Sequence, residues 1–401
     1  MASRINPTCI SINASSICQL RCPECPSAAI LRRIKERGAD RYLKATDFDS
    51  LLDDNPWLTS VNLANFGELF MNPEIIEILR CAFERNVEIS DDGGVNLNTA
   101  SDEALEALVR YQVRRMSISI DGATDETYRK YRVGGDLNTV IENIKKINSY
   151  KKKHKSTLPA LTWKFIIFGF NEHEISRARE LAHELDMQFA LDNCSCGAGS
   201  DLYPEDRGQL DYRLLDSLFS PIRDKEQVRN ELGYASIDEY EQKTGRGLYV
   251  KMCMWLFEMP FIHHDGTLLG CCAIDPDYAF GCNAFKDGLL DCINSEKMRY
   301  AREMLQGRVP EGPDIPCTHC WVYIDMKTEK YWLNIDPSDC EESYIMNRLV
   351  ELNTYTRRLE ADFAATADAI SHIATHEAQL EKALATRKST RLHRIIKRFF
   401  G

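Results

Sequence analysis

An α/β fold is predicted, namely a partial (β/α)6 barrel of the TIM type that is followed by a smaller module and a helical tail. Short β-rich runs alternate with longer helical ones from residue 8 to about residue 200, which is the pattern of a parallel sheet closed by crossover helices. The predicted strands are 8–13, 60–64, 95–98, 116–120, 162–168 and 188–192.

Four regions are predicted from this alternation and from the residues that follow it. The barrel occupies 1–202, a helical linker or substrate cap 203–250, a cysteine-rich module 251–340, and a coiled-coil helix with a basic amphipathic end 341–401. In barrels of this type the chemistry lies where strands end and loops begin. Residues just after each strand are therefore the first candidates for a site.

The charge and composition of the chain argue against several classes of protein. The 401 residues carry a net charge of −11 with a pI of about 5.4, which argues against a nucleic-acid substrate held on a broad basic face. No apolar run reaches the roughly 18 residues that span a bilayer, and the N-terminus lacks a basic and then apolar signal segment. These features predict a cytoplasmic protein.

Fifteen cysteines in a chain of a reducing compartment indicate metal ligation or reactivity. Cys18, Cys22 and Cys25 follow the first strand at spacings of three and two residues, which suits an iron–sulfur cluster because cluster irons are held by cysteine sulfur. Three thiolates leave one iron of a cubane open to another ligand. The alternative is a zinc site, although no second C-x2-C pair lies nearby.

The segment Cys18-Gln-Leu-Arg-Cys22-Pro-Glu-Cys25 resembles the motif of the radical S-adenosylmethionine (SAM) enzymes. The resemblance implies that the open iron binds SAM and that an electron from the cluster cleaves it to a 5′-deoxyadenosyl radical. An electron donor such as a flavodoxin or ferredoxin is then a partner.

Two further segments resemble the SAM-binding motifs of that family. Gly67 and Glu68 align with its Gly-Gly-Glu-Pro motif, so the resemblance implies that Glu68 contacts the SAM amino group; a helix-capping acid is the alternative. Ser119 and Arg132 lie in a Ser-x-Asp-Gly-Ala block and an Arg-x-Gly-Gly block. They are implied to reach the SAM ribose and carboxylate, against the alternative of a polar strand end and a solvated arginine.

Weaker candidates come from the remaining strand ends. Asn98 stands near the place where relatives read Thr-Asn-Gly. Phe168 is the last residue of the predicted strand 162–168, and the family uses the end of this strand to bracket adenine. Asp192 and Asn193 are predicted substrate contacts at the barrel mouth. Cys194 and Cys196 are predicted hydrogen donors to a carbon radical, or else small packing residues.

A second group of four cysteines lies in the module after the barrel. Cys253 and Cys271 frame a C-x12-G-x4-C pattern with Asp-Gly at a predicted hairpin turn, and Cys317 and Cys320 close it. The pattern resembles the twitch domain, a shortened SPASM domain that holds an auxiliary cluster; a zinc ribbon is the alternative. Two [4Fe-4S] clusters and SAM are thus the expected cofactors, with Cys272 and Cys282 near the second cluster but not ligands.

The tail shows a heptad seam over 345–384 and a basic amphipathic stretch over 387–400. The seam predicts self-association or docking of a partner, and the basic end predicts peripheral contact with the inner face of a membrane. A solvated helix is the alternative for both.

The predicted reaction is hydrogen abstraction from a carbohydrate or cyclitol carbon. The auxiliary cluster as electron acceptor would give dehydrogenation, and a cysteine as hydrogen donor would give epimerisation. The sugar-like substrate is favoured because the chain begins almost at its first strand, without a leader-peptide recognition domain. A peptide maturase is the alternative enzyme. A third hypothesis is a non-catalytic iron–sulfur scaffold. A scaffold needs no SAM pocket, and the presence of Glu68, Ser119 and Arg132 therefore argues against it.

Overall fold

The computed structural model describes residues 4–23, 25, 42–193, 253–274, 276–328 and 332–333. These residues form seven parallel strands: β1 Cys9–Ile12, β2 Ser60–Asn62, β3 Glu88–Val95, β4 Arg115–Ser119, β5 Ala160–Ile167, β6 Gln188–Asn193 and β7 Phe261–Ile262. Their order across the sheet is β6-β5-β4-β3-β2-β1-β7.

The helices of the described residues lie between and after these strands. They are α1 Ala45–Asp54, α2 Ile75–Glu84, α3 Asp102–Arg110, α4 Asp125–Tyr131, α5 Leu137–His154, α6 Ile175–Glu184, α7 Trp255–Glu258, α8 Ala284–Asp287, α9 Leu289–Ile293, α10 Glu296–Leu305 and α11 Trp321–Thr328. Short 3-10 turns lie at Leu69–Met71, Glu172–Glu174, Pro276–Tyr278 and Pro316–His319.

The α/β prediction is confirmed, with two differences. The third strand was predicted at 95–98, but β3 spans Glu88–Val95, so the predicted segment is the end of the strand and the loop beyond it. The sheet also gains a seventh strand, because β7 from the cysteine-rich module pairs in parallel with β1 through Ser11 and Ile12.

Polar side chains start the helices that follow β3 and β4. The Ser101 hydroxyl accepts a hydrogen bond from the Ala104 N–H at the start of α3, and Thr124 does the same for the Thr127 N–H in α4. Asp136 accepts from the Thr139 N–H at the start of α5. Each bond satisfies one of the free N–H groups of a first helical turn, which fixes where the chain leaves the strand end and turns into a helix.

The core lies between the sheet and its helices. Along β5, Trp163, Phe165 and Ile167 are fully buried while the residues between them are half-buried, so one face of the strand packs on helices and the other faces the barrel interior. Each such apolar side chain stabilises the fold by about 1.5–3 kcal/mol. The Trp163 indole N–H donates to the Ile120 carbonyl at 2.8 Å, which satisfies its polar atom inside the core.

Several predicted features lie outside the described residues: the linker 203–250, the hydrogen-donor candidates Cys194 and Cys196, the heptad seam 345–384 and the basic end 387–400. Among the helices that the structure describes, none is long and apolar enough to cross a membrane.

Candidate active site

The loop that carries Cys18, Cys22 and Cys25 leaves the carboxyl end of β1. Cys22 is buried, Cys18 and Cys25 are half-buried, and the Cys25 N–H donates to the Cys22 carbonyl. Burial, followed by the nearby Glu68 carboxylate, raises the pKa of the Cys18 thiol to about 12, and Cys22 and Cys25 add to the effect. The three sulfurs are therefore close enough to oppose one another's ionisation.

This donor set fits an iron–sulfur cluster. Burial raises the pKa of the Cys22 thiol, and the Arg132 guanidinium lowers it in part. Thiols that resist ionisation in this way become thiolates when a metal supplies positive charge. Within the part of the chain that the structure describes, no three His, Cys, Asp or Glu side chains form a site for a single metal ion.

Gly67 lets the loop after β2 press against the segment that precedes Cys18. Its φ is +77°, and a Cβ on it would lie 2.8 Å from the Ile17 nitrogen. The next residue donates its N–H to the Ile17 carbonyl at 2.7 Å. A side chain at position 67 would therefore push the Glu68 loop away from the cysteine loop.

Glu68 lies beside that loop, with only 2% of its surface exposed. Its carboxylate accepts hydrogen bonds from the Asn96 backbone N–H at 2.8 Å and from the Asn96 amide at 2.5 Å. Burial still raises the pKa of the Glu68 carboxyl to about 8. A carboxylate that is buried to this degree favours a cationic ligand. A contact between Glu68 and the SAM amino group remains a prediction.

Asn96 and Gln19 contact the predicted site residues, and the sequence patterns did not single them out. The Asn96 amide oxygen accepts from the Gln19 amide at 2.6 Å, and its nitrogen lies 3.6 Å from the Cys18 sulfur. Asn96 thus joins Glu68 to the first cysteine. It stands two residues before Asn98 in a segment that had been predicted as a strand, so its position at a strand end was not recognised.

Asn98 holds two helices together. Its amide oxygen accepts from the Asp136 N–H at 2.8 Å, and its nitrogen donates to the Tyr128 hydroxyl at 3.0 Å. Both polar atoms of this amide therefore have protein partners. A contact between Asn98 and SAM remains a prediction.

Arg132 forms a buried ion pair with Asp121. The guanidinium Nε lies 2.5 Å from a carboxylate oxygen of Asp121, whose side chain is fully buried. The other Asp121 oxygen accepts the Ile166 N–H at 2.8 Å. Burial raises the pKa of the Asp121 carboxyl, and the Arg132 charge offsets part of the rise. The pair holds a positive charge beside Cys22.

Ser119 ends β4 next to a pair of glycines in β3. A Cβ at Gly94 would collide with the Ser119 hydroxyl oxygen, so this glycine lets the two strands approach each other. The Asp91 carboxylate accepts the Gly93 and Gly94 N–H groups, each at 3.1 Å. These bonds shape the end of β3 against Ser119.

The stability of the apo chain is expected to fall as the pH rises from about 4 to about 6, because of Asp91. Burial raises the pKa of this carboxyl to about 6, although the Gly94 N–H opposes the rise. Between the unfolded and folded pKa values the native state holds a proton that the unfolded state has lost, so the free energy of unfolding declines by up to about 3 kcal/mol. Urea titrations across this range measure it. Asp91→Asn should show a flatter dependence, and an unchanged slope would contradict the assignment.

Phe168 belongs to an aromatic cluster at the end of β5. Its ring stacks on Phe170 at 5.3 Å between centroids and lies 4.4 Å from the Tyr131 ring. Phe168 is 1% exposed. A role for it in packing on adenine remains a prediction.

Lys164 and Asp192 pair on the barrel-facing side of β5 and β6. The Lys164 Nζ lies 3.1 Å from an Asp192 carboxylate oxygen and 3.4 Å from the Gly93 carbonyl. Asn193 is the last residue of β6. Lys164 was not predicted as a site residue, although its place as the single charge within an apolar strand was a visible signal.

The second group of cysteines also converges. Cys253, Cys271 and Cys317 are buried and Cys320 is half-buried. Burial raises the pKa of Cys317, and Cys271, Cys253 and Cys320 raise it further. Partial burial of the Cys272 thiol raises its pKa, and the nearby Cys320 raises it further. The thiol of Cys282 lies 3.9 Å from the Cys292 carbonyl, which links these two cysteines to each other. The ligand roles of Cys253, Cys271, Cys317 and Cys320 remain predictions.

Residues 12–184 match the family model described as the Radical SAM superfamily. SuiB of Streptococcus suis is similar in structure, with a TM-score of 0.55 at 16% identity over 82% of this chain and 76% of that chain. The structure of SuiB bound to the precursor peptide SuiA aligns with a TM-score of 0.54 at 16% identity, over 79% of this chain and 70% of that chain. The AdoMet-bound protein anSMEcpe aligns with a TM-score of 0.51 at 14% identity, over 92% and 99%. No curated protein sequence matches significantly.

Proposed function

We propose that residues 12–184, which match the Radical SAM superfamily model, form a radical SAM domain. The protein is then proposed to abstract hydrogen from a carbohydrate or cyclitol carbon, with dehydrogenation or epimerisation as the outcome. When bound, a [4Fe-4S] cluster at this domain supplies the electron that splits SAM into methionine and a 5′-deoxyadenosyl radical. The protein's own part is to bind SAM, orient it, and hold one substrate carbon against the radical.

One observation carries this proposal: three independent elements meet at one edge of the parallel sheet. The thiols of the Cys18–Cys25 loop, the buried Glu68 held by Asn96, and Arg132 held by Asp121 influence one another electrostatically. Cys18, Cys22 and Cys25 would hold the cluster, Glu68 would accept the SAM ammonium group, and Arg132 would face its carboxylate. A non-catalytic scaffold has no need for such a pocket.

The barrel-facing side of the sheet supports a hydroxyl-rich substrate. Ser117 pairs in register with Thr162 and Ser119 with Lys164, so two neighbouring positions on this face are polar on both strands. Asp192 lies opposite the apolar Ile166 and adds a carboxylate. Hydroxyls and one ion pair offer both donors and acceptors. A polyhydroxylated ring matches that pattern through many hydrogen bonds.

A Lys164→Met variant is expected to lower hydrogen abstraction from a sugar-like substrate by about tenfold, because a charged hydrogen bond contributes about 1.5–3 kcal/mol. The measurement is transfer of deuterium from labelled cyclitols and sugars into 5′-deoxyadenosine. Cleavage of SAM without substrate should be unchanged. Lys145→Met, which breaks an exposed pair with Glu142 on α5, is the matched control.

Equal deuterium transfer by the native chain and the Lys164 variant would contradict the substrate assignment. Labelled peptides as the donors of deuterium would favour the second candidate, a peptide maturase. That candidate is supported by the similarity to SuiB, whose structure was determined with a precursor peptide.

Cys253, Cys271, Cys317 and Cys320 are proposed to hold an auxiliary cluster, which when bound would accept an electron from the substrate radical. Anaerobic reconstitution should then give about eight irons per chain, and Cys317→Ala with Cys320→Ala should give about four. Iron analysis and electron paramagnetic resonance measure this. About four irons in the native chain would contradict the auxiliary cluster and with it the dehydrogenase outcome.

The hydrogen-donor role of Cys194 and Cys196 is proposed for the epimerase outcome. A donor thiol exchanges with solvent, so product formed in deuterated water would carry deuterium at the inverted carbon. Unchanged incorporation in Cys194→Ala and Cys196→Ala would exclude both thiols.

A further inference from the structure

A buried hydrogen-bond network joins the end of β1 to the hairpin that begins with β7. The Ser16 hydroxyl oxygen lies 3.1 Å from His263 Nε2 and 2.7 Å from His264 Nδ1. The two rings are 4.0 Å apart, and the three residues are 1%, 4% and 3% exposed. The Asn13 amide nitrogen lies 3.0 Å from the same hydroxyl.

The proton positions in this network follow from its partners. His263 Nδ1 lies 3.1 Å from an Asp265 carboxylate oxygen. Although burial opposes it, the hydrogen bond with His263 lowers the pKa of Asp265, so the carboxylate accepts and Nδ1 carries a proton. In the neutral ring with its proton on Nδ1, His263 Nε2 accepts the Ser16 proton.

The remaining bonds complete the capacity of the hydroxyl. Because Ser16 donates its single proton to His263, the contact with His264 Nδ1 requires that His264 donates. The Asn13 amide donates as well. One donated and two accepted bonds use the donor and both lone pairs of a serine hydroxyl. The hydroxyl at the centre of the network is thus satisfied, and buried hydrogen bonds of this kind specify one arrangement of the segments that they join.

The network lies between the two groups of cysteines. Only Ile17 separates Ser16 from Cys18. The Ile17 carbonyl accepts a hydrogen bond from the Glu68 N–H on the other side of the loop. The histidines directly follow β7, with His264 in the turn of the hairpin. The second arm ends at Cys271, and the Gly270 N–H donates to the Phe261 carbonyl at 3.0 Å. A shift of the hairpin is therefore transmitted to the loop of the first cluster.

We propose that Ser16, His263 and His264 are positioning residues through which the second module fixes the cysteine loop, so that SAM affinity at the first site depends on the second module. This inference rests on the proposed function for the identity of the ligand. The effect on the position of the cysteine loop does not depend on which ligand binds there.

The test compares Ser16→Ala and His264→Phe with His264→Asn, all in the cluster-loaded full chain. Asparagine keeps a donor near the place of His264 Nδ1. We expect the dissociation constant for SAM, measured by equilibrium dialysis, to rise about tenfold in the first two variants, as for the loss of one buried hydrogen bond. His264→Asn should recover most of the affinity. Iron content should not change.

Amide hydrogen exchange of the peptide covering 13–18 is the second readout. It should accelerate in Ser16→Ala and His264→Phe and stay near native in His264→Asn. Asn294→Ala is the matched control, because Asn294 makes two 2.8 Å bonds from the same module to Ile5, away from the cysteine loop. It should change neither readout at that loop.

Native SAM affinity and native exchange in His264→Phe would overturn the proposal, and this variant decides it even if Ser16→Ala does not fold. An Asn294→Ala variant that weakens SAM binding as much as His264→Phe would also overturn it. A native chain that binds no SAM would refute the proposed function instead, while the exchange comparison would still decide the positioning role.

Discussion

Replacement of Asp121 by alanine is expected to destabilise the protein by about 3–5 kcal/mol. The variant leaves the Arg132 guanidinium, 13% exposed, without its carboxylate, and it leaves the Ile166 N–H without an acceptor. An uncompensated buried charge costs far more than the pair contributes. Urea denaturation measures the loss in the apo chain.

Two comparisons separate this effect from a general loss of charge. Asp92→Ala breaks an ion pair with Arg115 in which both side chains are 42% exposed, so the cost should stay within about 1 kcal/mol. Adding Arg132→Met to Asp121→Ala should restore part of the stability, because the stranded charge is gone. If Asp121→Ala is no less stable than Asp92→Ala, the buried pair does not organise this edge of the sheet.

Replacement of Cys18, Cys22 and Cys25 by alanine is expected to lower 5′-deoxyadenosine formation by more than about a hundredfold, to the level given by the reductant alone. Without these thiolates the loop loses the proposed ligands of the irons to which SAM would bind. Iron content should fall by about four per chain. Chromatography of the products and iron analysis measure both.

Cys81→Ala is the matched control for the triple variant. Cys81 is a buried free cysteine on α2, 4% exposed and outside both groups. Its removal should leave iron content and SAM cleavage at native levels. A triple variant that still forms 5′-deoxyadenosine would refute the assignment of the first site.

The strands with continuous apolar or alternating character were predictable, because burial on a sheet face imposes a period of two. β5 and β6 lie within two residues of their predicted bounds. The Cys18–Cys25 group was recognisable for another reason: ligands of one cluster on one loop need short spacing, which the sequence displays directly.

One strand was misplaced and another was missed because their sequences lack the usual strand pattern. β3 contains Asp91, Asp92, Gly93 and Gly94, a composition typical of turns. The strand nevertheless continues, because the Asp91 carboxylate accepts the N–H groups of the two glycines. β7 has two residues, too few for any periodicity to appear. Its pairing with β1 depends on contacts between segments some 250 residues apart.

Most of the contacts that support the site could not be predicted from the sequence, because they also join residues that are far apart in the chain. Asn96 meets Glu68 across 28 residues, and Ser16 meets His263 across 247 residues. Nothing in a single sequence marks which buried polar side chains will share a bond. Arg132 was predicted, but its partner Asp121 was visible only as part of a motif.

Formation of 5′-deoxyadenosine by the native chain tests the central claim most directly. The chain is reconstituted anaerobically with iron and sulfide, reduced with dithionite and supplied with SAM. We predict 5′-deoxyadenosine and methionine in equal amounts. A chain that takes up zinc but no iron, or one that holds iron and leaves SAM intact, would contradict the account.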